Sequence, residues 1–206
     1  MKIPLFLLEG HKRFLNNSHP EQEGLQKKLL QDGQAPEVLW VGCSDSRVMP
    51  ETIVNSSPGD LFVVRNVGNM VPSYEAGGSS VGAAIEFSLG TLGINHAIVC
   101  GHEDCGMMKA IQDGGVDSVA MPRLSKWIKE TLHDLKPASS EIQDLTELTK
   151  HNILLQVERL RLYPIVSKAI AERDFTLHAW FINMSCGNLE AYDFEKKTWM
   201  RLVDME

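Results

Sequence analysis

The stretch VLWVGCSDSRVMP, residues 38–50, changes character in mid-course. Val38 to Gly42 is a short apolar run bounded by turn-forming residues, the pattern of a strand buried in a parallel sheet. The run stops at Cys43, and Asp45 and Arg47 follow at once. Cysteine is commonly buried and ionised aspartate and arginine are not, so the three together mark a strand end rather than a core segment. A second apolar run, HAIVCGH at 96–102, also ends on a polar residue, His102. Between them LFVVRNVGN (61–69) reads as another strand. SSVGAAIEFSLGTLG (79–93) reads as a helix with a serine cap and a glycine stop. Strand alternates with helix, which defines an α/β fold with a mainly parallel central sheet flanked by helices. Ligands of such sheets bind beyond the carboxyl ends of the strands, where both polar clusters fall.

The outer segments fit around this centre. Residues 3–16 carry Leu5, Leu8 and Phe14 at helical spacing. HPEQEGLQKKLLQDG (19–33) is a second helix, with Pro20 in its first turn and Gly33 past its end. After the His102 strand, helices are expected over 107–112, 119–135 and 140–163, the last interrupted by Pro164. TLHAWFIN (176–183) and NLEAYDF (188–194) read as a final pair of strands joined through Gly187 and Asn188.

The 206 residues, 43% apolar and 23% charged, suit one globular domain with a sizeable core. A net charge of −7 without a long basic run argues against nucleic acid as a partner. Residues 1–8, MKIPLFLL, are followed directly by charged residues and lack a cleavage pattern, and no apolar run reaches membrane-spanning length. The expectation is a soluble cytoplasmic protein with no membrane partner. In a reducing compartment its four cysteines, at 43, 100, 105 and 186, are core residues, catalytic thiols or metal ligands.

The segment CGHEDCGMMK (100–109) places His102 and Cys105 three apart, so that one turn can present both to one ion. Alone, this H-x-x-C is as compatible with a core histidine and a core cysteine. With Cys43 from another strand end, it becomes a two-thiolate, one-imidazole set suited to zinc. Three ligands leave a fourth position open, as in catalytic rather than structural zinc sites. Cys100 shares a strand face with His102 about 7 Å away; it could compete as a ligand, although its apolar setting favours core packing. Cys186 falls in a turn and receives no role. An open zinc lowers the pKa of bound water to about 7 and yields a nucleophile. Asp45 can accept a hydrogen bond from that nucleophile, held by Arg47 in a charge-assisted pair. His11, His19, His133 and His151 read as surface residues, and Trp127, Trp180 and Trp199 as core or interface. Met107 and Met108 read as packing behind the ligand turn.

The motif Cys43-Ser44-Asp45-Ser46-Arg47 followed by His102-Glu103-Asp104-Cys105-Gly106 resembles the β-class carbonic anhydrases, zinc enzymes that interconvert carbon dioxide and bicarbonate. GDLFVVRNVGNMVP and GAAIEF resemble the segments the family carries between them. The likeness is dense from Gln34 to Lys109 and thinner beyond. It implies one zinc per chain on Cys43, His102 and Cys105, with Asp45 and Arg47 as the catalytic dyad. In a closed form Asp45 itself takes the fourth position on the metal. It implies a substrate pocket of Gln34, Phe62, Val67, Phe87 and Gly106, with Phe87 where many members carry tyrosine. It implies an N-terminal helical arm, residues 1–34, that clasps a second subunit, and a zinc-binding α/β catalytic domain, residues 35–206. The partners are then carbon dioxide or bicarbonate and a second copy, in a homodimer or dimer of dimers. Trp40 and Gly42 match the Trp-x-Gly of an inhibitory bicarbonate pocket in a bacterial branch. Ile182 stands where that branch has tyrosine, which implies weakened or absent bicarbonate inhibition.

Rival zinc chemistries fare worse. GGSSVG (77–82) lacks G-x-G-x-x-G, reads as a linker and gives a dehydrogenase no dinucleotide loop. No C-x-x-C exists for a zinc deaminase. Two alternatives remain: a carbon disulfide or carbonyl sulfide hydrolase on the same scaffold, and a non-catalytic zinc-binding protein, which would have no need of Asp45 and Arg47.

Overall fold

The computed structural model describes residues 3–76, 78–131 and 141–205. The chain starts with helix α1 (Leu5–Arg13), a π-helical stretch (Phe14–Ser18) and α2 (His19–Asp32). The two expected helices therefore run on as one arm. Pro20 sits in the first turn of α2, and Gly33 ends it at φ +85°. No residue of the arm is buried. Phe6 and Leu30 are 71% and 85% exposed.

Then follow β1 (Val38–Cys43), a single turn α3 (Pro50–Ile53), β2 (Leu61–Asn66), α4 (Ser80–Gly90), β3 (His96–His102), α5 (Gly106–Gln112) and α6 (Pro122–Thr131). The chain continues through α7 (Leu145–Arg161), α8 (Pro164–Glu172), β4 (Thr176–Ile182), β5 (Leu189–Asp193) and β6 (Thr198–Arg201). One six-stranded sheet has the order β2-β1-β3-β4-β5-β6. The first four strands are parallel, and β5 and β6 add antiparallel at one edge. Val38 pairs with His96 and Gly42 with Cys100, so β1 and β3 end side by side.

The main core lies on one sheet face. Leu39, Val41, Val99, Ala179 and Phe181 meet Ile85 and Leu89 of α4, Ile153, Val157 and Leu160 of α7, and Val166 of α8. Helix α7 lies so close to β3 that a Cβ on Gly101 would come within 2.8 Å of Ile153, which requires glycine there. The other face carries a smaller cluster of Trp40, Ile98, Cys100 and Ile182. Ser79 caps α4 by accepting the Gly82 N–H, and Asp144 caps α7 by accepting that of Glu147. Ser79 is thus the serine cap expected for the 79–93 helix, and the linker reading of 77–82 does not hold over Ser79 to Gly82.

Other differences have local causes. Strand β2 stops at Asn66, not at residue 69. The Asn66 side chain bonds both the N–H and the carbonyl of Met70, while Gly68 (φ +85°) and Asn69 (φ +49°) reverse the chain. The helix expected over 140–163 begins at Leu145, after its Asp144 cap. Pro164 both interrupts it and opens α8 at the first turn, where a missing N–H does no harm. Strand β6 follows a turn with no Gly, Pro or Asn, in which the Asp193 carboxylate accepts the N–H groups of Glu195 and Lys196. Residues 132–135 of one expected helix, and His133, lie outside the described residues. No helix among the described residues is long and apolar enough to cross a membrane.

Candidate metal centre

Cys43 closes β1, His102 closes β3, and Cys105 caps α5 one turn further on. The loop between the two β3-side donors places Asp104 at φ +53°, a left-handed conformation that aspartate tolerates better than most residues. One donor atom from each of Cys43, His102 and Cys105 lies within 4.8 Å of the others, and all three residues are buried. No other such cluster of three exists among the described residues. Met70, Met107, Met108 and Ile111 pack around the thiols, so the sulfurs sit in an apolar wall. The Met107–Met108 expectation holds in this respect.

The histidine shows what the site is built for. Its Nδ1 lies 2.8 Å from the Glu103 carbonyl, to which it donates, so Nε2 carries the lone pair. That Nε2 is buried with no hydrogen-bond partner. An orphaned imidazole nitrogen facing two thiols fits a soft cation such as zinc, and the backbone carbonyl behind it is the usual orienting partner of a metal-bound histidine. The Cys43 thiol agrees. The Cys105 thiol beside Cys43, reinforced by His102 and the N–H groups of Gly68 and Asp45, holds Cys43 down to about 4 against its burial. Cys105 goes the other way: its hydrogen bond to Cys43, its burial and the Cys43 charge push its thiol well above the ordinary value, against the Met107 and Met108 N–H groups at the start of α5. Burial pushes His102 down, but the Cys43 thiolate, the Glu103 carbonyl and Asp45 together push it up. The Cys43 thiolate is thus the negative charge in the donor set that a cation would neutralise.

Beside it, Asp45 and Arg47 pair through two parallel hydrogen bonds. Arg47 Nε donates to Oδ1 at 3.0 Å and Nη2 to Oδ2 at 2.9 Å; the Arg47 N–H adds a third bond to Oδ1 at 3.0 Å. The guanidinium holds the Asp45 carboxyl well below the usual carboxylate range. Asp45 Oδ2 is 3.9 Å from His102 Nε2, so the carboxylate borders the metal position without entering the cluster.

Three further charged residues, given no role by the sequence, support this arrangement. Arg65 donates to the carbonyls of Cys43 (2.9 Å) and Asp45 (2.6 Å), which fixes the turn after β1. Glu103 accepts both the N–H and the O–H of Ser185, at 2.9 and 2.7 Å. Asp104 accepts from Arg47 at 3.0 Å. The charges of RNVGN and HED were the available signals, but nothing in the spacing paired them.

A cavity of about 350 Å³ opens over the site, lined by Cys43, Ser44, Asp45, Val67, Gly106, Met107, Ala110 and Leu124. Trp127 of α6 donates to the Val67 carbonyl at 2.9 Å and steadies that wall. Of the expected pocket residues the chain brings Val67 and Gly106 to this cavity. Phe62 and Phe87 instead pack on each other, with ring centroids 6.0 Å apart, and Gln34 is exposed between α2 and β1; none of the three lines it. Cys100 is buried in the cluster on the far sheet face and donates to the Gly101 carbonyl, so it stands outside the donor set. Cys186 is exposed. Trp40 is wholly buried, edge-on to Trp180 at 5.7 Å, with its indole N–H unpartnered and Ile182 buried in the same cluster.

These features define the class: an α/β protein with a three-donor soft metal site at neighbouring strand ends and a carboxylate–guanidinium pair at its rim. A family model described as carbonic anhydrase matches residues 38–189. The carbonic anhydrase of Pseudomonas aeruginosa is 33% identical over 204 residues, spanning 96% of this chain and 91% of that one. The structure of the β-carbonic anhydrase CcaA superposes with a TM-score of 0.88 at 34% identity, over 95% of this chain and 90% of that one. A tetrameric β-carbonic anhydrase from Sordaria macrospora superposes with a TM-score of 0.78 at 30% identity, over 90% and 94% of the two chains. The chain belongs to the β-carbonic anhydrase family of enzymes.

Proposed function

We propose that the protein catalyses the reversible hydration of carbon dioxide to bicarbonate and a proton, with one zinc ion held by Cys43, His102 and Cys105. The observation that carries this reading is the orphaned His102 Nε2 facing two thiols, beside a carboxylate that Arg47 keeps paired. Zinc bound there would supply a Lewis acid with an open fourth position that makes water nucleophilic near neutral pH. The chain does the rest. Asp45, kept ionised by Arg47, accepts a hydrogen bond from the attacking water and orients it. Val67, Met107, Ala110 and Leu124 offer carbon dioxide a small apolar wall, and Gly106 leaves its backbone beside the substrate. If Asp45 leaves Arg47, its carboxylate is near enough to occupy the fourth position and close the site.

Gln34, Phe62 and Phe87 complete the pocket in this reading from across a subunit interface. The exposed apolar side chains of residues 1–34 clasp a second copy, against the catalytic domain of residues 35–206, in a dimer or dimer of dimers. The tetrameric relative supports such an assembly. The free cysteines fit a cytoplasmic setting. Ile182 leaves the Trp40 and Gly42 region without a phenol, and bicarbonate is expected to act as product rather than as an inhibitor at a second site.

Stopped-flow hydration of carbon dioxide tests the reading, with carbon disulfide and carbonyl sulfide assayed in parallel. Turnover of carbon dioxide should dominate. Asp45→Asn should retain zinc and lose on the order of 10²-fold in kcat/KM, the scale of a lost proton-handling group. Full activity of Asp45→Asn would remove the dyad from the mechanism, and preferential turnover of a sulfur substrate would replace the reaction.

A further inference from the structure

Arg47 is gripped on two edges, and only one grip belongs to the pair with Asp45. On the other edge, Nη1 donates to the Asp104 carboxylate and Nη2 to the Asp104 carbonyl, both at 3.0 Å. The Arg47 side chain is 47% exposed. An exposed arginine normally samples many rotamers, and fixing it opposes pairing. A second grip settles the guanidinium before Asp45 arrives, so the Asp45 pair forms at a smaller entropic cost.

The anchor is itself held. Asp104 lies between His102 and Cys105 in a loop tied to the end of β4. Glu103 donates its N–H to the Ile182 carbonyl at 2.9 Å and accepts two bonds from Ser185. On the opposite side, Arg65 clamps the carbonyls of Cys43 and Asp45. Arg47 therefore bridges two fixed pieces, the end of β1 and the ligand loop after β3. Asp45 Oδ2 stands 3.9 Å from His102 Nε2, so a short swing away from Arg47 would bring it to the metal position.

We infer that Asp104 is a positioning residue: acting through Arg47, it keeps Asp45 in its two-bond pair and off the metal. This rests on the reading of Asp45 as the residue that opens and closes the site. Any ligand of the open fourth position then binds with an affinity scaled by the fraction of molecules in which Asp45 is held away. Asp104 sets that fraction without touching substrate.

Two variants separate anchoring from loop shape. Asp104→Asn keeps an oxygen acceptor and tolerates φ +53°. Asp104→Gly loses the acceptor and tolerates the same backbone. Zinc content, azide binding by calorimetry, and kcat and KM for hydration are measured on the zinc-loaded proteins. Equal zinc content is expected in all three. Azide affinity and kcat/KM should fall about fivefold in Asp104→Gly, the scale of one lost charge-assisted bond on a half-exposed group. Asp104→Asn should stay within about twofold of the parent, because the acceptor oxygen is retained. Unchanged azide affinity in Asp104→Gly would overturn the inference. So would zinc loss in that variant, which would assign Asp104 to the ligand loop alone, or equal impairment of Asp104→Asn, which would make charge rather than anchoring the cause. A parent protein that binds azide with the same variant pattern but hydrates no carbon dioxide would sink the proposed reaction and leave the Asp104 inference standing.

Discussion

The strand ends around Cys43 and the N-terminal arm treat their side chains in opposite ways. At the strand ends Asp45, Arg47, Arg65, Glu103 and Asp104 each have partners within the chain. Along α1 and α2 no residue is buried. One region is finished by the chain that carries it. The other carries Leu5, Phe6 and Leu30 into solvent, exposed apolar side chains of the kind that mark an interaction surface. The contrast teaches that the donor set is a property of the single chain, whereas the pocket around it would be completed only in the proposed assembly. Gln34, Phe62 and Phe87 do not line the cavity over Cys43, and in the proposed assembly they are the residues left to complete it.

The comparison breaks most severely if a ligand substitution is tolerated. Cys43→Ala removes one of three donors and leaves Cys105 and His102 too few to hold an ion. Zinc per chain, by elemental analysis, should fall to near zero, and hydration activity with it. Retained zinc would mean that another group, such as Cys100, can take its place.

The arm gives the next largest effect. Phe6→Asp with Leu30→Asp puts charge on the surface proposed to meet the second copy. Each apolar side chain withdrawn from an interface is worth about 1.5–3 kcal/mol, so the dimer dissociation constant should rise on the order of 10²-fold or more. Sedimentation velocity across a dilution series reads this directly. Zinc content should not change, since the donors are independent of the arm. An unchanged assembly would show that the arm is covered by something other than a second copy.

The smallest effect sits far from both regions. His178 of β4 lies 3.4 Å from His96 of β3, at the amino-terminal side of the sheet. Burial disfavours its charged form and His96 adds repulsion, so its pKa in the folded chain lies below the ordinary value. The unfolded chain then binds this proton more tightly. The stability that neutral His178 contributes is present above about pH 6.5 and is lost as pH falls below it. Denaturation of the parent should therefore become easier between pH 7 and 5.5, and His178→Gln should flatten that part of the difference. An identical pH dependence in the variant would show that His178 titrates alike in both states.

Much of this was legible in the chain itself. The runs ending at Cys43 and His102 gave the parallel strands, their shared end and the donor set, because apolar periodicity and ligand chemistry are both local signals. Asp45 and Arg47 were legible for the same reason, being two residues apart. Asp104, Arg65 and Ser185 were not. Their roles depend on which strand ends become neighbours, and the pairing of Arg47 with Asp104 spans 57 positions. Helix α8 was hidden because Pro164 reads as a stop, although it also suits the first turn of a new helix. The end of β2 was misplaced because Asn66 supplies its own turn through side-chain bonds, which hydrophobic patterning does not register.

The central claim is that Cys43, His102 and Cys105 hold the zinc on which carbon dioxide hydration depends. Its most direct test is one titration, in which chelated protein receives zinc stepwise while bound metal and stopped-flow hydration are followed in the same samples at pH 8. Activity should rise from background in proportion to zinc and level off at about one ion per chain, as a single three-donor site requires. Hydration by the metal-free protein, or full zinc loading with no hydration, would contradict the account.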